Sequence, residues 1–332
     1  MSGPVTFKRL RSLARRLLPA MLATAAVPGA ALAQSFPSKP VTIVVPYTPG
    51  GATDTVARLV AKGLGARLGQ SVIVENKPGA AGNIGTDYVG RAAPDGYTVL
   101  FATTANAINE GLYDKLNYHI ATDFVPITQL VQLQNVVVTK AGFAADSMGE
   151  LLKMAREKPG GLAYASAGLG SSTHLAAELF NYQAKVKMLH VPYKGSAPAI
   201  TAILGGDVQL MFDNLPSSLS HIRGGTLQAL AVTGKQRSAL LPDVPTVSEA
   251  GVPGYEIVAW HGLSAPKGTP PAIVQELARN TVAVLKDPEV AGALQRMGAE
   301  VVAEGPEAFG ARIEQDIAKF KTVVRSSGMQ NQ

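Results

Sequence analysis

Short runs that are apolar at every position alternate along this chain with longer stretches in which apolar residues return every third or fourth place. "VTIVV" at 41–45 is largely β-branched, the pattern of a strand buried on both faces. "DTVARLVAKGLGARLG" follows, with Val56, Leu59, Val60, Leu64 and Leu68 at helical spacing and Thr53 or Asp54 as the expected N-cap. "VIVE" (72–75) reads as a strand, "IGTDYVGRAA" as a helix stopped by Pro94-Asp95-Gly96, and "TVLFA" (98–102) as the next strand. This βαβαβ order predicts a parallel sheet with right-handed crossovers.

The alternation continues. "NVVVT" (135–139), "LAYAS" (162–166), "MLHV" (188–191), "QLMFD" (209–213) and "LQALAV" (227–232) read as strands. "SMGELLKMAREKPGG" carries a capping box, Ser147 with Glu150, and "THLAAELFNYQA" and "SAPAITAILGG" are further helices. "GYEIVAWHGLSAP" makes a long strand-like crossing. Three helices close the chain, "PPAIVQELARNTVAVLKD", "PEVAGALQRMG" and "PEAFGARIEQDIAKFKTVV", with a short "EVV" (300–302) between the last two. The order predicts two α/β lobes, with chain crossings near 130–139 and 256–264. Residues 34–138 and 258–332 would form lobe 1 and residues 139–257 lobe 2. A ligand cleft is expected between them, at the carboxyl ends of strands.

The first residues have another character. Lys8, Arg9, Arg11, Arg15 and Arg16 precede the apolar run "LLPAMLATAAVPGAALA", which ends in Ala31-Leu32-Ala33. A basic region, an apolar region and an A-x-A end predict a secretory leader cleaved after Ala33, and a periplasmic product. The leader changes the charge argument. The chain has 30 Lys+Arg against 24 Asp+Glu, but five of those bases lie in the leader, so the mature part has 25 against 24. No basic patch remains to favour nucleic acid. With no cysteine, disulfides and thiol chemistry are excluded, so a mature chain of 299 residues must rest on its core. The five histidines (119, 174, 190, 221, 261) have no metal-ligand spacing. No cofactor is expected.

Two strand–turn–helix loops carry the candidate chemistry. In "VTIVVPYTPGGATD", Gly50 and Gly51 let backbone amides approach a ligand, and Thr53 and Asp54 open a helix. In "LAYASAGLGSSTHLAAELF", Ser166, Gly168, Gly170, Ser171, Ser172 and Thr173 lie between a strand and a helix. Two such turns facing each other could hold a small acid by neutral hydrogen bonds. Neither loop has the G-x-G-x-x-G or Gly-Lys-Ser/Thr pattern of a nucleotide site. Ser171 or Ser172 with His174 and Asp213 supplies the residue types of a hydrolytic triad, but without the nucleophile elbow. Asp213-Asn214 reads either as a strand-end turn or as a cleft position, Tyr193-Lys194-Gly195 as a loop before a helix, and Trp260-His261 as hinge core.

Six stretches occur in order: "KPVTIVVPYTPGGATDTVARLVA", "VIVENKPGAAGNIGTDYVGRAAPDGYTVL", "YASAGLGSSTHLAAELF", "HVPYKGSAPAITAILGGDVQLMFDN", "LPDVPTVSEAGVPGYE" and "WHGLSAPKGTP". Together they resemble the substrate-binding receptors of tripartite tricarboxylate transporters, the Bug or TctC-like family, across the whole mature chain. The resemblance implies a two-lobed periplasmic binding protein of Venus-flytrap fold, not an enzyme. It would be a monomer that captures a small organic acid, whether a di- or tricarboxylate, an aromatic acid or an acidic amino acid, and delivers it to membrane transporter subunits. The family's ligand-gripping positions fall here on Tyr47, Thr48, Gly50, Gly51, Ala52, Thr53 and Asp54. They continue at Asn76 and Ala81 of the "ENKPGA" turn, at Ser166, Gly168, Gly170, Ser171, Ser172 and His174, and at Asp213. His261, where many members carry a second aromatic, and Tyr47-Thr48 depart from the pattern, so ligand choice should differ there. An exported serine hydrolase and an orphan carboxylate sensor are the alternative readings.

Overall fold

The structure is a computed structural model that describes residues 1–3 and 36–326. Apart from its first three residues, the expected leader lies outside the described residues, as does its cleavage site after Ala33. Among those described, no helix is long and apolar enough to cross a membrane.

The N-terminal pattern folds as read. Strand β1 (Val41–Val45) is flanked in parallel by β2 (Val72–Asn76) and β3 (Thr98–Thr103). Helices α1 (Ala52–Leu68) and α2 (Asn83–Gly90) make the crossovers. Helix α1 begins two residues before the expected N-cap. After residues 46–49, Gly50, at φ +88°, turns the chain into the helix, and Gly51 takes the cap position. Asp54 then sits inside the first turn, where its carboxylate accepts from the amide of Gly50 at 3.0 Å.

The middle of the sheet is organised by one strand. β4 runs from Phe124 to Lys140, 17 residues, although only 135–139 carry an obvious strand pattern. Residues 124–134 pair antiparallel with β9 (Val258–Pro266), and 129–133 also pair with β10 (Ala299–Glu304). From Asn135 onward the same strand pairs with β7 (Leu210–Asn214) and β8 (Leu227–Val232). Gln132 and Gln134 alternate with buried Val131 and Leu133, but Pro126 and register shifts at Pro126/Thr128 and Gln129/Val131 break the period-2 pattern earlier in the strand. The chain returns beside this change of partners: Thr233 donates its amide to Asn135 O, and Ile257 donates to Thr233 O, just before β9.

On the far side, β5 (Ala163–Ser166) joins β7 and β6 (Leu189–Pro192) in parallel, with helices α4 (Met148–Glu157), α5 (Ser172–Ala184) and α6 (Ser196–Gly205) between strands. Ser147 caps α4, accepting from the Glu150 amide at 3.3 Å. Two helices have no counterpart in the apolar pattern. These are α3 (Thr104–Leu112) in "TANAINEGL" and α7 (Leu215–Arg223) in "LPSSLSHIR", short and polar or alanine-rich. Helices α8 (Pro271–Leu285), α9 (Pro288–Arg296) and α10 (Pro306–Ser326) complete the α/β, two-lobed fold. The core is apolar on both sheet faces. Trp260 is wholly buried, edge-on to Phe309 at 5.2 Å, and its Nε1 donates to Asp316 at 2.7 Å.

Candidate functional site

A narrow pocket lies where the N-termini of five helices meet. Gly51, Ala52 and Thr53 bring the start of α1, and Thr103 and Thr104 the start of α3. Ser171, Ser172 and Thr173 bring α5, Ser196 brings α6, and Asn214 is the N-cap of α7. Tyr47, Thr48, Ala167, Ala259, Trp260 and His261 fill the remaining wall. No lining side chain carries a full charge. Each helix start leaves amides without intrahelical acceptors and a partial positive charge equivalent to about half a unit. Five together make a site for an anion that needs no lysine or arginine.

Each loop is braced from behind. In the first, Asp54 is buried and accepts from Gly50 N, from Arg58 Nε at 2.9 Å and from Asn76 Nδ2 at 2.9 Å. Burial pushes its carboxyl up, but the Arg58, Gly50 and Asn76 hydrogen bonds outweigh that and hold it below the usual range. Asn76 also donates to Tyr47 O at 3.0 Å. Tyr47 donates its hydroxyl to Ala81 O at 3.3 Å.

In the second loop, Ser171 Oγ donates to Gly168 O at 2.6 Å and accepts from the His174 amide at 3.2 Å. Gly168 N donates to Ser166 Oγ, which lies 2.6 Å from His190 Nε2. Gly170 donates its amide to His174 Nδ1 at 3.1 Å, so that nitrogen is the acceptor of a neutral ring. The His174 and His190 rings stack at 3.9 Å. Burial, with repulsion from His190, drives the His174 pKa down to about 3, and burial takes His190 to about 4.

The structure thus divides the expected residues. Tyr47, Thr48, Gly51, Ala52, Thr53, Ser171 and Ser172 line the pocket. Ala81 and Gly168 line a second, adjoining cavity that shares Tyr47 and Ala167 with the first. Gly50, Asp54, Asn76, Ser166, Gly170, His174 and Asp213 stand outside the lining, and the bonds above make most of them braces. Asp213 is fully buried and accepts from Ser196 Oγ at 2.6 Å and Ser218 Oγ at 2.7 Å. Burial raises its pKa to about 6 despite those bonds. The triad geometry is not assembled. The partners of Ser171 are Gly168, Thr173 and the His174 amide, Ser172 Oγ meets Asn214 Nδ2 at 3.5 Å, and the Asp213 carboxylate is occupied by two serines.

Sequence reasoning missed Thr103, Thr104 and Ser196, and left Asn214 between a strand-end turn and a cleft position. Thr103, Thr104 and Asn214 stand where a strand passes into a helix, so a signal was present, a hydroxyl or amide side chain at the end of an apolar run, while Ser196 opens α6 after Tyr193, Lys194 and Gly195. For α3 it was obscured because the apolar stripe, Ala105, Ile108 and Leu112, is short and set among buried asparagines.

The family described as "Tripartite tricarboxylate transporter family receptor" (TctC) matches residues 56–329. Protein BugT of Bordetella pertussis is 37% identical over 309 residues, covering 92% of this chain and 95% of BugT. Among solved structures, Rpa4515 of R. palustris with adipate superposes with a TM-score of 0.86 at 38% identity, over 88% of this chain and 98% of that one. MatC from Rhodopseudomonas palustris with bound malate gives a TM-score of 0.84 at 33% identity, over 87% and 100%. Matches of this identity over nearly the full length of both partners mean common ancestry and a common fold: the chain belongs to the TctC, or Bug, family of transporter receptors.

Proposed function

We propose that this protein is a periplasmic solute-binding protein that captures a small organic carboxylate and delivers it to the membrane subunits of a tripartite tricarboxylate-type transporter. The observation that carries the reading is the meeting of five helix N-termini on a pocket lined only by neutral side chains. Amides and hydroxyls of Gly51, Thr53, Thr104, Ser171 and Ser172 hold the carboxylate, and Asp54, Asn76, Ser166 and His174 keep the loops in shape. The adipate and malate bound by two structural neighbours support the ligand class. The leader, cleaved after Ala33, exports the chain. The lobes close as units of residues 34–138 with 258–332, and 139–257, a division supported by the change of β4 partners at Asn135. Closure follows because the ligand touches both lobes only in the closed form.

Isothermal titration of the purified protein with di- and tricarboxylates, aromatic acids and acidic amino acids tests this, together with native mass spectrometry for a co-purified acid. A true ligand at 100 times its Kd stabilises the fold by about 2.7 kcal/mol. A panel in which no acid binds, with no acid carried through purification, would overturn the reading.

A further inference from the structure

His261 stands out within the pocket. It lies on β9, opposite Thr103, the N-cap of α3, and is only 2% exposed. Phe101 packs edge-on against its ring at 5.2 Å. Its ring makes no hydrogen bond among the described residues, and Nδ1 is fully enclosed without a partner. Burial lowers its pKa to about 3, so the ring is neutral at neutral pH. A second unpartnered polar atom, Thr48 Oγ1, lies in the same lining. Buried polar atoms in folded proteins are almost always hydrogen-bonded, because an unmade bond costs the whole desolvation of the group. Two such atoms in one pocket wall point to a ligand that satisfies them.

The chemistry of the ring narrows that ligand. A neutral imidazole offers one N–H donor and one acceptor nitrogen. The helix N-termini already supply donors for a carboxylate, and carboxylate oxygens only accept. A hydroxyl can serve either ring nitrogen, and a carbonyl oxygen can accept from the N–H.

We infer that His261 is a specificity-determining residue of this pocket, hydrogen-bonding a hydroxyl or carbonyl oxygen that the ligand carries apart from its clamped carboxylate. The inference rests on the carboxylate-binding reading above. It selects hydroxy and oxo acids over plain acids of the same length.

The test uses matched pairs titrated into the wild type, His261→Phe and His261→Asn: malate against succinate, and 2-oxoglutarate against glutarate. The wild type is expected to prefer the oxygenated member of at least one pair by about tenfold. His261→Phe should abolish that preference by weakening the oxygenated acid about tenfold more than the plain one, and His261→Asn should retain part of it. Unliganded His261→Phe should melt no lower than the wild type, since it removes an enclosed, unpartnered nitrogen. A preference that survives in His261→Phe overturns the inference. So does an equal loss for both members of each pair, which with a lowered melting point marks a purely structural residue. An acid that binds the wild type without any preference for the oxygenated member overturns the inference and leaves the carboxylate reading standing. Failure of every acid to bind the wild type overturns that reading and the inference with it.

Discussion

The backbone amide of Ala52 donates to Oγ of Ser217 at 2.7 Å, tying the first turn of α1 to α7 across the pocket. Close by, Thr48 N donates to Lys194 O at 3.4 Å, and Gly50 and Gly51 lie against Ala197 and Ser196. The first loop therefore meets the β6–α6 turn and α7 directly, and one of the helix-start amides is already taken by a protein hydroxyl. Ser217→Ala removes that tie without opening a cavity of consequence. The expected result is a loss of about 1 kcal/mol from the closed form, a roughly fivefold weaker Kd, and a melting temperature of the unliganded protein near the wild-type value. Titration calorimetry and thermal melts on one preparation measure both quantities, and an unchanged Kd would count against a role for Ser217 in closure.

Gly195 is the tightest point of the same contact. Its φ is +144°, and a Cβ there would run into Thr48 Oγ1. Gly195→Ala is expected to cost stability by about 1–2 kcal/mol through backbone strain. It should also weaken ligand binding more than tenfold by holding Thr48 away from Lys194. Small-angle scattering with saturating ligand should show a larger radius of gyration than the wild type under the same conditions.

Asp213 supplies a pH signature. Its pKa is raised from 3.8 to about 6 in the folded protein, so between those values the native state keeps a proton that the unfolded chain has released. Its contribution to stability is therefore complete below pH 3.8 and lost as pH rises through about 6. Asp213→Asn removes this titration and leaves the depressed histidines common to both proteins. The stability difference, wild type minus variant, should fall by roughly 2–3 kcal/mol between pH 4 and pH 7. Urea unfolding at several pH values reads it directly, and a flat difference would show that Asp213 does not titrate there.

Trp260 is the single tryptophan of the chain, and it lies in the pocket wall. Its emission should therefore change on ligand binding, and Trp260→Phe should abolish the signal. The same substitution takes the Nε1 donor from Asp316, which keeps Arg312 at 2.8 Å. A cost of about 1–3 kcal/mol in chemical denaturation is expected. Ligand titrations that leave the fluorescence of the wild type unmoved would place the bound solute away from this wall.

Much of this was legible before any coordinates. Val41–Val45, the helix after it and the strands at 98, 163, 210 and 227 announce themselves through local periodicity, which depends only on neighbours in sequence. The two glycine- and hydroxyl-bearing turns were visible for the same reason. The first half of β4 was not, because Pro126 and two register shifts against β9 break its alternation, and only the pairing with β9 makes it one strand. Helix α3 was hidden too, since the side-chain amide groups of its buried asparagines find distant partners: Asn106 Nδ2 donates to Thr86, and Asn109 Nδ2 to Asn83.

By itself the sequence determined the α/β class, the order of its elements and the chemical character of two binding turns, because each is written in residues a few positions apart. The tertiary structure alone decided how many helix starts share one pocket, and that His174 and Asp213 stand behind the wall while His261 stands in it. Those facts depend on which strand ends are brought side by side and on which polar atoms find partners from elsewhere in the chain. No local pattern encodes either.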